Sequence, residues 1–115
     1  MAFSEFLADR VRQRLLNKGN IVEKKMMGGL LFMLNGNMCI GIDIDKNTQA
    51  DRLMLRIGKS SYEALLKKEG SRPMDFTGKA MKSFLYIDPE GFDKDTDLDF
   101  WIQKALAFNS SIIKK

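Results

Sequence analysis

Residues 24–41 read KKMMGGLLFMLNGNMCIG and hold four of the chain's eight methionines and its only cysteine. Several thioethers and a thiol converging on one point would suit a soft cation such as Cu(I). The same cluster could be a redox sensor, or only the inside of a small protein. The turn inside the segment separates these readings. Asn35-Gly36 between two apolar runs predicts a two-residue hairpin of type I′, which needs positive φ at both central residues. Leu34 then faces Asn37, Met33 faces Met38, Phe32 faces Cys39 and Leu31 faces Ile40, and opposed residues share a sheet face. One face carries Leu31, Met33, Met38, Ile40 and Ile42 and is expected beneath the helices. The other carries Leu30, Phe32, Leu34, Asn37, Cys39 and Gly41. Alternation thus parts the thiol from the thioethers. The expectation is core packing, with methionine filling irregular gaps, and no metal site.

The acidic residues offer two further sites, and both read as structural. DIDKNTQAD (43–51) places Asp43, Asp45, Asn47, Gln49 and Asp51 at the alternating positions of a calcium loop. Its sixth position is Thr48 in place of glycine, its twelfth is Met54 in place of a bidentate glutamate, and a strand precedes it. A polar loop between strands is the expectation. Between residues 88 and 99 stand six carboxylates against one lysine. Their spacing matches no ligand set, and helix capping with solvation accounts for them.

The chain contains no histidine, which removes the commonest general base, the commonest zinc ligand and every Ser-His or Cys-His nucleophile pair. Carboxylate acid–base chemistry would need two facing carboxylates in a deep pocket, and nothing in the sequence selects such a pair. No catalytic residue, cofactor or metal is expected. Net charge is +4, and with the acidic stretch set aside the remainder is clearly basic. Arg72, Lys79 and Lys82 surround Phe76 in a basic loop suited to phosphate or to an acidic protein surface.

The 115 residues, 44% of them hydrophobic, fit one domain spanning 1–115 with a single core. No apolar run is long enough for a membrane span, the N-terminus lacks the pattern of a signal peptide, and a lone cysteine forms no internal disulfide. A soluble, cytoplasmic protein is expected. Phe3, Phe6, Leu7, Val11 and Leu15 follow helical spacing, with Ser4 as cap and Gly19 as stop, which predicts a helix over 4–18. Strands follow over 21–27, on both sides of Asn35-Gly36, and over 52–57, where Leu53, Leu55 and Ile57 share a face. Ser60 and Glu63 form a capping box for a helix over 61–69, with Gly70 at its end. SRPMDFTGKAMK reads as a loop, SFLYID as a strand closed by Pro89-Glu90-Gly91, and a last helix over 96–110 is capped by Thr96 or Asp99. The order α-β-β-β-β-α-β-α predicts an α+β, two-layer domain: a mostly antiparallel five-stranded sheet with helices packed on one face. The half-apolar face bearing Leu30, Phe32, Leu34 and Cys39 is then covered by loops or by a second copy of the chain, a homodimer.

Four segments in order, EKKMMGGLLFMLNGNMCIG, LMLRIGKSSYEALL, RPMDFTGKAMKSFLYIDPEG and WIQKALAF, resemble the N-terminal domain of the TfoX (Sxy) competence regulators. Met27 stands where that family typically has an aromatic. The resemblance implies a small α+β fold, no catalytic residues, no cofactor and no enzymatic role. It implies a protein-interaction module in transcriptional regulation, acting with the cyclic-AMP receptor protein and the transcription machinery. Founding members carry a second, C-terminal domain, whereas only NSSIIKK follows the last helix here, so a stand-alone domain is expected. Arg72, Asp75, Phe76, Lys79 and Lys82 are the expected interaction surface, with Phe76 as anchor and the charges setting register. The structural alternative for Asp75 is capping of the local backbone. The second functional reading is direct nucleic-acid binding by the loop over 72–82 and the first helix.

Overall fold

The computed structural model describes residues 3–26, 28–74 and 82–113. Helix α1 (Glu5–Leu15) leads into four strands, β1 (Ile21–Met26), β2 (Gly29–Leu34), β3 (Asn37–Ile44) and β4 (Asp51–Arg56). Helix α2 (Lys59–Leu66), strands β5 (Ser71–Pro73) and β6 (Phe84–Ile87), a single turn α3 (Pro89–Phe92) and the long α4 (Asp95–Ile113) complete the chain. The strands form one antiparallel sheet in the order β1-β2-β3-β4-β6-β5. The α+β class holds, with six strands among the described residues in place of five. The additional strand, Ser71–Pro73, lies in the segment read as a loop. It is three residues long and ends in proline, which suits the edge position where no further ladder bond is needed.

Ser4 caps α1 as expected, its Oγ accepting the Leu7 amide at 3.2 Å. The helix ends at Leu15, earlier than residue 18, and Asn17 takes the left-handed turn at φ 64. Leu7, Ala8, Val11 and Leu15 face the core, but Phe6 stands 75% exposed instead of joining the stripe. The expected capping box of α2 does not form. The helix starts at Lys59 behind Gly58 and has no side-chain cap. The last helix is longer than 96–110. Its first bond runs from the Leu98 amide to the Lys94 carbonyl at 2.9 Å, so Thr96 and Asp99 lie inside it.

The hairpin turn is as read: Asn35 and Gly36 adopt φ 52 and 87. Leu34 faces Asn37 and Met33 faces Met38, and then the register slips. Phe32 faces Ile40, Leu31 faces Gly41 and Leu30 faces Ile42, leaving Cys39 as the extra residue of a bulge. One inserted residue returns everything beyond it to the opposite face. Ile40 and Ile42 therefore join Leu30, Phe32, Leu34 and Cys39, and all are buried in the main core. That core lies beneath the helices, with Leu7 and Val11 of α1, Tyr62 and Leu65 of α2, and Trp101 and Ile102 of α4. Ile40 and Ile42 thus lie beneath the helices as expected, whereas Leu31, Met33 and Met38 lie on the opposite face and Leu30, Phe32, Leu34 and Cys39 take their place. A second copy could not cover Leu30, Phe32, Leu34 and Cys39, because this chain's own helices already do. The thiol is still parted from Met33 and Met38, which belong to a smaller cluster on the opposite face.

Candidate functional site

The face of the sheet turned away from the main core holds the unexpected features. One row of paired residues crosses all six strands on it: Lys24, Leu31, Gly41, Met54, Tyr86 and Arg72. Toward β5 the row is polar. Arg52 grips Asp43 through Nε and Nη2 at 3.0 and 2.9 Å and reaches Asp45 at 3.4 Å. Arg72 grips Asp88 at 2.6 and 2.7 Å and also donates to Asp45 at 3.0 Å. Both guanidinium groups lie near the Tyr86 ring, at 3.7 Å for Arg52 and 5.7 Å for Arg72. The Asn47 amide and then the two arginines hold the Asp45 carboxyl below its usual range. The loop that imitates a calcium site is therefore a salt-bridged corner. Among the described residues no group of three or more His, Cys, Asp or Glu could hold a metal ion.

Toward β1 the same face is apolar. Met26, Met33, Met38, Met54 and Met74, with Leu31, Phe84 and Lys24, line a hollow of about 390 Å³. Leu31, Met54 and Met74 are buried at its floor. Gly41 makes room for that floor, since a Cβ there would stand 2.7 Å from Leu31 Cδ2 and 2.8 Å from Met54 Cε.

The arginines of α1 are also committed within the chain. Arg10 and Arg14 bind Asp95 at 3.1 and 3.0 Å, Arg14 binds Asp99 at 2.5 Å, and Arg12 binds Glu5, Asp9 and Glu23. Arg10 and Arg14 depress the Asp95 carboxyl, and Arg12 depresses Glu23. The acidic stretch of the sequence is thus offset by basic residues distant along the chain. In the main core, burial pushes the Cys39 thiol up to about 12, so it is not a thiolate at neutral pH.

A family model described as the TfoX N-terminal domain matches residues 13–109. The chain belongs to the TfoX N-terminal domain family. No curated protein matches it. A crystal structure of a protein from Pseudomonas syringae has a TM-score of 0.58 to it, covering 81% of this chain and 90% of that one at 13% identity. At that identity the likeness reaches the fold alone.

In this TfoX N-terminal domain, the expected surface residues are placed unevenly. Arg72 sits on β5 with its charge taken by Asp45 and Asp88. Lys82 is exposed shortly before β6. Asp75, Phe76 and Lys79 lie outside the described residues. Sequence reasoning missed the Arg52–Asp43–Asp45–Arg72–Asp88 network, whose members are far apart in the chain. It also missed the convergence of five methionines. The signal for Met54 was present, because the alternation that aligns Leu53, Leu55 and Ile57 sends Met54 to the opposite face.

Proposed function

We propose that this TfoX N-terminal domain is a non-enzymatic protein-interaction module serving transcriptional regulation in the cytoplasm. The observation that carries the choice of a protein partner over nucleic acid is the internal pairing of the arginines. Arg10, Arg12 and Arg14 of α1, and Arg72 of the basic loop, all spend their charge on carboxylates of the same chain. Phosphate contacts need cations with no such partner. The clamp around Arg72 holds the edge strand β5 to Asp45 and Asp88, and recognition residues work best on a rigid scaffold. Phe76 is the anchor, Lys79 and Lys82 set charge and register, and Arg72 holds β5 in place. A buried thiol, held protonated, suits a reducing compartment.

The test is an affinity pull-down from the native cell with the wild-type chain and the Phe76→Ala/Lys79→Glu variant. Loss of specific partners, transcription proteins among them, is the expected outcome. Identical partner lists would overturn the surface assignment. Retention on DNA at low salt that collapses as salt rises would favour direct nucleic-acid binding instead.

A further inference from the structure

We propose that the methionine-lined hollow is a binding site for an amphipathic anion, an aliphatic chain bearing a carboxylate head. The hollow measures about 390 Å³, within the range of small-molecule sites. Its wall is thioether and hydrocarbon, and unbranched polarisable methionines adapt to a flexible chain. Its floor is formed side chain: Leu31, Met54 and Met74 are 5%, 1% and 2% exposed. Its rim is open at β1, where Met26 is 48% exposed.

The sign of the head group follows from the charges around the hollow. Lys24 is the charged residue among the described residues lining it. Arg56 lies against Phe84, another lining residue, with its guanidinium carbon 5.8 Å from the ring centre. Every other arginine is paired with a carboxylate of the chain. Arg56 has no carboxylate partner among the described residues: its guanidinium lies between the Phe84 and Phe108 rings, acts on the Cys39 thiol, and keeps its Nε buried with no acceptor. Two uncompensated cations beside an apolar hollow select an anionic head on an apolar tail. Lys24 pairs with the carboxylate, and Arg56 keeps the Phe84 side of the rim positive.

The experiment is calorimetric titration of the purified chain with decanoate, octanoate and decyltrimethylammonium, the last matching decanoate in chain length with the opposite charge. Saturable binding of decanoate is expected, with octanoate about tenfold weaker for its two missing methylenes and the cation silent. Lys24→Glu, on an exposed side chain that leaves the fold intact, is expected to weaken decanoate about tenfold or more. Met33→Trp, at a half-buried wall position, is expected to fill the hollow and abolish binding while the thermal transition stays cooperative. The proposal is overturned if decanoate shows no saturable heat, if the cation binds as well as the anion, or if both variants bind decanoate like the wild type. Sedimentation showing a dimer that Met33→Trp dissolves, with no decanoate uptake, would give the hollow to a second copy and equally overturn it.

Discussion

Arg72 on β5 holds both carboxylate oxygens of Asp88 through Nε and Nη2, at 2.6 and 2.7 Å. The same Nη2 reaches Asp45 at 3.0 Å. One side chain thus ties the edge strand, the end of β6 and the β3–β4 corner together. The fork geometry, not charge alone, makes this possible. Arg72→Ala is expected to lower stability by about 1 kcal/mol, a modest figure because the arginine side chain is 42% exposed. Arg72→Lys is expected to recover only part of that, since an ammonium cannot form the fork. Urea unfolding midpoints at constant slope measure both.

Gly29 and Gly41 are both closely approached, but by different atoms. A Cβ at Gly29 would lie 2.2 Å from the Ile42 carbonyl oxygen, whereas at Gly41 it meets the side-chain ends of Leu31 and Met54. Backbone cannot yield as a methionine methyl can. Gly29→Ala is therefore expected to cost about 3 kcal/mol or more, and Gly41→Ala about 1 kcal/mol. The ranking is read from thermal or urea melts, and equal costs would refute it.

Cys39 is 1% exposed and protonated at neutral pH, its thiol raised to about 12 by burial. A thiol-labelling reagent is expected to react with the folded chain only as fast as the chain opens, and at once in denaturant. Cys39→Ser places a hydroxyl in that apolar site and is expected to cost about 1–3 kcal/mol. Cys39→Ala, with nothing polar to bury, should cost less.

Acid should unfold the domain. Asp45, Glu23 and Asp95 have carboxyls held below their ordinary values, Asp45 by the Asn47 amide first and the other two by arginines. A carboxyl whose folded value is depressed stabilises above its unfolded value, roughly pH 4, and loses that contribution as pH falls through the folded one. Asp51, raised by burial, acts in the opposite direction. The expected result is a plateau of melting temperature above about pH 5 and a decline below about pH 4. Asp45→Asn should flatten the decline, and a profile rising toward acid would contradict the pairing scheme.

Much of the fold was legible because its signals are local. Ser4 and the Leu7 amide lie three residues apart, so the cap could be read directly. Asn35-Gly36 demanded a turn with positive φ at both positions, and that turn formed. The candidate site was legible only in part. Arg72 was singled out, but as a free cation, because its partners Asp45 and Asp88 stand 27 and 16 residues away. The α2 capping box failed although Ser60 and Glu63 have the right spacing. The backbone entered the helix at Gly58, before the serine could cap it.

The sequence by itself determined the α+β class, the strand-rich centre, the helix at each end and the tight hairpin. Each depends on periodicity or turn chemistry within a few residues. Tertiary structure decided which face of the sheet the helices cover. A single inserted residue, Cys39, moves Ile40 and Ile42 across the sheet, and no local rule places a bulge. Tertiary structure also decided where the charge goes: Arg10 and Arg14 reach Asp95 and Asp99 more than 80 residues along the chain. It gathered Met26, Met33, Met38, Met54 and Met74 around one hollow. Charges and side chains meet in space according to sheet order and register, and these are settled only when the strands pair.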